Sequence, residues 1–89
     1  MTAVTIFSRP GCHLCDDMKA VVVRVAQSVP LTIEEVDISL DPMLEARYGG
    51  DIPVLLIDGR RAAKYRVSES ELLRILQGRT GGSGGTQEG

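Results

Sequence analysis

The chain has 89 residues, 43% of them hydrophobic, which is enough for one buried core but hardly for two. The formal net charge is −2 with both signs mixed along the chain, and only three residues are aromatic, so a nucleic-acid partner is not expected. The first residues contain no basic residue followed by a long apolar segment, so the sequence predicts no signal sequence, no membrane partner and a cytoplasmic location.

The first predicted elements are a strand and a helix. Ala3–Phe7 is a short apolar, β-branched run that is typical of a buried strand. Apolar residues then recur at spacings of three and four from Leu14 to Val29, which places them on one face of a helix. Pro30 ends this helix, because proline cannot continue the helical hydrogen-bond pattern.

A second strand and a second helix follow. Leu31–Ile38 is predicted to be a strand, although its alternation is imperfect. Asp41 has the chemistry of an N-cap and Pro42 that of a first helical residue. The pair Gly49-Gly50 ends this short helix.

The last elements are a hairpin and a third helix. Pro53–Ile57 is a strand, Asp58-Gly59 is a strong two-residue turn signal, and Arg61–Tyr65 returns as a more polar edge strand. Ser68–Glu71 has the pattern of a capping box, so a helix is predicted from Ser68 to about Gly78. The order β-α-β-α-β-β-α predicts an α/β fold, with a parallel first strand pair joined by a right-handed crossover and an antiparallel hairpin.

Composition divides the chain into two parts. Residues 1–77 form one predicted domain, and residues 78–89 are rich in glycine, serine and threonine and are predicted to be a disordered tail.

Both cysteines of the chain lie in the segment SRPGCHLC, where Pro10 and Gly11 form the turn between the first strand and the first helix. Cys12 therefore lies at a helix N-terminus, where free backbone N–H groups and the helix dipole stabilise an anion. We expect a lowered pKa for Cys12, which makes it the nucleophile. Cys15 lies one turn further on the same face, where it is able to attack a mixed disulfide on Cys12.

Other roles for the two cysteines are a half metal site or two inert thiols. A reducing compartment disfavours a permanent structural disulfide. Zinc needs four ligands, and the chain offers only these cysteines and His13, so one chain cannot complete a zinc site and no metal is predicted. We interpret His13 as a solvent-facing residue of the first helical turn rather than as a general base.

Three segments of the chain resemble the glutaredoxins of the thioredoxin superfamily: TIFSRPGCHLC, EEVDI and DIPVLLIDG. The resemblance covers roughly Ala3 to Gln77. It implies a glutaredoxin-type thioredoxin-like fold, with a four-stranded mixed sheet flanked by helices.

The resemblance also implies roles for five residues. Cys12 is the nucleophile and Cys15 the resolving thiol. Pro53 is in the cis form and places the backbone of Ile52 so that a substrate pairs with it in strand fashion. Arg9 supplies positive charge that favours the Cys12 thiolate or a carboxylate of the substrate. From the residues alone, Pro53 is equally an ordinary trans proline that opens a strand.

Two features depart from the family pattern. The residues between the cysteines are His13-Leu14 rather than Pro-Tyr, which alters the redox poise. The segment Ala62–Val67 stands where glutaredoxins have Gly-Gly and an acidic residue that bind glutathione. Lys64 and Arg66 offer an anionic thiol another mode of binding.

The sequence thus predicts a monomeric thiol-disulfide oxidoreductase that reduces protein or low-molecular-weight disulfides and needs no bound cofactor. Glutathione is one candidate co-substrate. A thioredoxin-reductase-like flavoprotein or another protein partner is the alternative reductant. A second alternative is a non-catalytic domain on the same fold that carries an iron-sulfur cluster or binds a partner.

Overall fold

The structure, a computed structural model, describes residues 2–80, and four of its elements form one mixed sheet. The strands are β1 (Thr2–Ser8), β2 (Leu31–Asp37), β3 (Val54–Ile57) and β4 (Arg60–Lys64). Their spatial order is β2-β1-β3-β4, with β1 parallel to β2 and β3 antiparallel to both β1 and β4. The predicted order of elements along the chain, the parallel first pair, the antiparallel hairpin and the four-stranded mixed sheet are therefore confirmed.

Helices connect or follow these strands. They are α1 (His13–Ala26), a 3-10 helix (Ile38–Leu40), α2 (Pro42–Tyr48) and α3 (Glu69–Thr80). The 3-10 helix was not predicted, and it forms where the Asp37 carboxylate accepts the Ser39 N–H at 2.9 Å.

The predicted helix starts are confirmed by their hydrogen bonds. The carboxylate of Asp41 accepts the N–H groups of Met43 and Leu44 at 2.9 and 3.4 Å. At α3, the Ser68 hydroxyl accepts the Glu71 N–H at 3.1 Å, and the Glu71 carboxylate accepts the Ser68 N–H at 3.0 Å. These reciprocal bonds satisfy donors that the helix itself leaves free.

The end of α3 differs from the prediction. The helix continues to Thr80, so residues 78–80 belong to the helix and not to the predicted tail. Composition misleads here because a single glycine costs a helix only about 1 kcal/mol and does not have to end it. Residues 81–89 of the predicted tail lie outside the described part of the chain.

The core lies between one face of the sheet and the helices α1 and α3. Inward-facing residues of β1 and β3 pack against the apolar stripes of both helices, as the helical spacing predicts. Its buried members are Val4, Ile6, Met18, Val22, Val25, Leu55, Ile57, Val67, Leu72 and Leu76. Helix α2 contributes no buried residue; it contacts the sheet through Tyr48, whose ring lies 4.7 Å from that of Phe7.

Within residues 2–80, no helix has both the length and the apolar character required to cross a membrane.

Candidate active site

Cys12 and Cys15 are joined by a disulfide at the amino end of α1. Cys12 is the N-cap residue, with an extended backbone, and its sulfur accepts the N–H of Cys15 at 3.2 Å. Cys15 is 2% exposed, whereas Cys12 is only half-buried. The sequence has no other cysteine, so the bond uses both thiols of the chain. The pair is thus close enough for reversible dithiol-disulfide chemistry, and Cys12 is its more accessible member.

The turn that carries Cys12 depends on Gly11. Its φ angle is +80°, a region that residues with a Cβ rarely adopt. This turn lets the chain leave β1 and enter α1 with the sulfur of Cys12 directed at the free N–H groups of the first helical turn. These groups and the helix dipole favour a negative charge on that sulfur. His13, the first residue of α1, is exposed, as predicted.

The loop 50–53 lies at the same end of the sheet as this turn, because it leads into β3, whose first residue Val54 pairs with Phe7 near the end of β1. The Ile52–Pro53 peptide bond is cis, which confirms the conformation that the resemblance implied. Pro53 is buried and Ile52 is half-buried. In the described part of the chain, Ile52 takes part in no hydrogen bond, so its backbone N–H and C=O are free to pair with another strand.

Arg9 is placed differently from what its predicted role suggests. Its guanidinium forms an ion pair with Glu45 of α2 and donates a hydrogen bond to the Gly49 carbonyl at 3.3 Å. Glu45 therefore balances the charge that was predicted to act on the Cys12 thiolate or on a substrate. A contact with a partner 36 residues away is a tertiary feature, and no local pattern in the sequence indicates it.

A polar cavity of about 300 Å³ lies beside the turn, between β2 and the start of α1. On its wall, the buried hydroxyl of Ser8 donates to Glu35 at 3.1 Å, and Lys19 donates to the same carboxylate at 3.0 Å. The hydrogen bond from Lys19, with a smaller contribution from Ser8, lowers the pKa of Glu35. The residues that line the cavity are Ser8, Arg9, Pro10, Gly11, Asp16, Glu35 and Asp37.

Asp51 organises the charges on the opposite side of the site. Its carboxylate accepts a hydrogen bond from Arg61 at 3.3 Å and lies 3.7 Å from the ammonium group of Lys64. The Tyr65 hydroxyl also contacts it, at 3.4 Å. Lys64 is therefore already paired, while Arg66 has no ion-pair partner among the described residues.

Tyr65 is a site residue that sequence reasoning missed. It has a φ angle of +67°, which is unusual for a residue with a large side chain. The sequence predicted Tyr65 as the last residue of the edge strand, whereas β4 ends at Lys64, and a strand pattern does not predict a positive φ.

No group of three or more His, Cys, Asp and Glu side chains within residues 2–80 is arranged to hold a metal ion.

Comparison with known proteins agrees with this geometry. The model of the glutaredoxin-like domain family (DUF836) matches residues 3–77. A glutaredoxin-like protein of Dictyostelium discoideum is 33% identical, over 83% of this chain and 74% of the relative. Protein XcR50 from X. campestris has a similar solved structure, with a TM-score of 0.68, 29% identity, and coverage of 83% of this chain and 95% of that one.

The similarity to thioredoxins is one of fold. Chloroplastic thioredoxin z matches with a TM-score of 0.76 over 92% of this chain and 80% of its own, at only 15% identity. The fold, the cysteine pair at a helix N-terminus and the family match agree, and this chain therefore belongs to the glutaredoxin-like family, with a thioredoxin-like fold and a cysteine pair that supports a redox function.

Proposed function

We propose that this protein is a thiol-disulfide oxidoreductase that reduces disulfides with the Cys12–Cys15 dithiol. The observation that carries the proposal is the disulfide at the amino end of α1. This helix begins at the same end of the sheet as the loop 50–53. The exposure of the two cysteines supports the role proposed for each. The half-buried Cys12 is the sulfur that an incoming disulfide reaches, and the buried Cys15 reacts with what becomes attached to Cys12.

The reaction has two exchange steps. The Cys12 thiolate attacks one sulfur of the substrate disulfide, a Cys12–substrate disulfide forms, and the other substrate sulfur leaves as a thiolate that takes a proton from solvent. Cys15 then loses its proton and attacks the sulfur of Cys12, which forms the Cys12–Cys15 disulfide and releases the second substrate thiolate. Two electrons pass from the protein to the substrate. A thiol reductant returns the disulfide to the dithiol by the reverse exchange.

The reductant is glutathione or a protein such as a thioredoxin-reductase-like flavoprotein. One observation favours the second candidate. The Tyr65 N–H donates to the Pro53 carbonyl, and the Lys64 carbonyl accepts the Arg66 N–H, so this segment does not offer the open backbone that a glycine pair provides. Protein disulfides are the proposed substrates, the cytoplasm the proposed location and the monomer the proposed state, with no resident cofactor, nucleic acid or membrane required.

The experiment is the intact mass of the protein after equilibration in a series of glutathione redox buffers and acid quenching. Loss of two hydrogens, or gain of one glutathione that Cys12→Ser abolishes, is the expected result. The matched variant Cys15→Ser should accumulate the glutathione adduct on Cys12, because the resolving thiol is absent. A protein that remains a free dithiol in buffers that oxidise ordinary redox pairs would contradict the proposal.

A further inference from the structure

The backbone of Tyr65 has a conformation that few residues with side chains adopt. Its φ angle is +67°, and the N–H of Arg66 donates to the carbonyl of Lys64 at 2.8 Å. A hydrogen bond between residues two apart around a residue of positive φ describes a γ-turn of the rare, strained kind. Strain of this type persists only where the surrounding contacts impose it, and it is concentrated at functional sites.

The backbone N–H and the hydroxyl of Tyr65 hold it in this conformation, and both contact the loop 50–53. The N–H donates to the carbonyl of Pro53 at 2.9 Å, and the hydroxyl lies 3.2 Å from the carbonyl of Gly50 and 3.4 Å from the carboxylate of Asp51. One residue thus reaches both ends of the loop, and its hydroxyl also contacts the intervening Asp51.

The ring of Tyr65 also faces solvent. It is 43% exposed. It forms one wall of a cavity of about 180 Å³ whose other wall includes Met18, which follows Cys15 by three residues on α1. A polypeptide that paired with the free backbone of Ile52 would therefore lie along a loop that Tyr65 holds at both ends.

We propose that Tyr65 is a specificity-determining residue, which holds the loop 50–53 ready to pair with an extended polypeptide and so favours protein disulfides over small ones. The inference rests on the proposed function and deepens it. A loop that is fixed before binding loses less conformational entropy when a peptide adds to it. A small disulfide presents its sulfur to Cys12 without a backbone that pairs with Ile52, so it gains nothing from an ordered loop.

The test is the single-turnover oxidation of the fully reduced protein by two probes. One is a synthetic linear peptide with one disulfide, and the other is bis(2-hydroxyethyl) disulfide. Tyr65→Phe removes the hydroxyl and keeps the ring. Tyr48→Phe is the matched control, because the Tyr48 hydroxyl has no hydrogen-bond partner among the described residues and the variant keeps the ring that packs on Phe7.

The expected result is a change confined to one probe. Loss of the Gly50 hydrogen bond should raise the half-saturating peptide concentration roughly three- to tenfold in Tyr65→Phe, the size that one net hydrogen bond supplies. The maximal rate with the peptide and the rate with the small disulfide should stay within about twofold of wild type. Tyr48→Phe should leave the half-saturating peptide concentration and both rates unchanged.

A second readout detects the loop directly. Backbone hydrogen exchange at Asp51, whose N–H donates to the Tyr48 carbonyl at 2.8 Å, should accelerate in Tyr65→Phe and not in Tyr48→Phe. Tyr65→Gly accepts the positive φ but lacks the ring. It should raise the half-saturating peptide concentration at least as much as Tyr65→Phe does.

The outcomes separate the inference from the proposed function. A wild-type protein that reduces the peptide as expected, with unchanged half-saturation and unchanged exchange in Tyr65→Phe, would overturn the inference alone. An equal loss of reactivity toward both probes in Tyr65→Phe would also overturn it, since that would show a general effect on the site. A wild-type protein that reduces neither probe would overturn the proposed function together with the inference.

Discussion

Arg9, three residues before Cys12, is paired with Glu45 of α2, and this ion pair joins the active-site turn to a helix that contributes nothing to the core. The same guanidinium bonds the Gly49 carbonyl at the end of that helix. The turn, α2 and the start of the loop 50–53 are thereby held together by one side chain. The relationship gives Arg9 a positional role that does not require a substrate.

The Arg9–Glu45 pair should contribute modestly to stability. Each side chain is 39% exposed, so solvent screens the attraction, and we expect Arg9→Gln and Glu45→Gln each to lower the free energy of unfolding by no more than about 1 kcal/mol. Urea titration of both variants and of the double variant measures the coupling. The double variant should lose less unfolding free energy than the two single variants lose together. Strict additivity of these losses would show that the pair contributes nothing.

Gly49 should tolerate no side chain. A Cβ there would lie 2.5 Å from the backbone carbonyl of Glu45, 2.6 Å from its carboxylate and 3.2 Å from the guanidinium of Arg9. Gly49→Ala should therefore destabilise the protein by about 1–3 kcal/mol, as overpacking does. The neighbouring Gly50→Ala is the matched control, because no atom lies within 4 Å of the added Cβ. Equal unfolding midpoints for the two variants would contradict this account.

Glu35 should make stability depend on pH in the acid range. Lys19 and Ser8 lower the pKa of Glu35 from its ordinary value of 4.5, so the folded protein binds this proton more weakly than the unfolded chain does. The stabilising contribution is complete above pH 4.5 and is lost as the pH falls through the lower pKa of the folded state.

Glu35→Gln isolates this contribution. Its stability should lie below that of wild type at pH 7, by less than about 1 kcal/mol because the pair is partly exposed, and the difference should shrink near pH 3. Glu71, whose pKa is lowered by its bonds to Ser68, is present in both proteins and cancels in the comparison. A difference that stays constant across this range would contradict the assignment.

Cys12 should be the first thiol to react in the reduced protein. It is half-buried at the helix N-terminus, whereas Cys15 is 2% exposed. Brief treatment of the reduced protein with iodoacetamide, followed by peptide mass analysis, should find Cys12 modified at least about ten times faster, since thiolate character and access both favour it. Preferential modification of Cys15 would reverse the roles that we propose for the two cysteines.

Local features of the site were predictable from sequence. The positions of Cys12 and Cys15 follow from an apolar run, a Pro-Gly turn and a helical repeat, and the Ser68–Glu71 capping box uses contacts within a single turn. The parallel β1–β2 pair and the β3–β4 hairpin followed from chain order, because a helix joins the first pair and a two-residue turn joins the second, whereas the place of β3 beside β1 was not predicted.

Features that depend on residues far apart were not predictable. The Arg9–Glu45 pair spans 36 positions and exists only because α2 packs near the active-site turn. The positive φ of Tyr65 contradicts the preference of its residue type and is imposed by bonds to Gly50 and Pro53. Local propensity describes the chain before these contacts form, so it misses conformations that the contacts enforce.

The lack of buried residues in α2 has an evolutionary consequence. Leu40 and Met43, on either side of its first residue, are 82% and 81% exposed, and neither fills space in the core. Selection for packing therefore acts weakly along this helix and strongly along α1 and α3. Related proteins should diverge fastest on the surface of α2, where new recognition specificities can arise without loss of the fold.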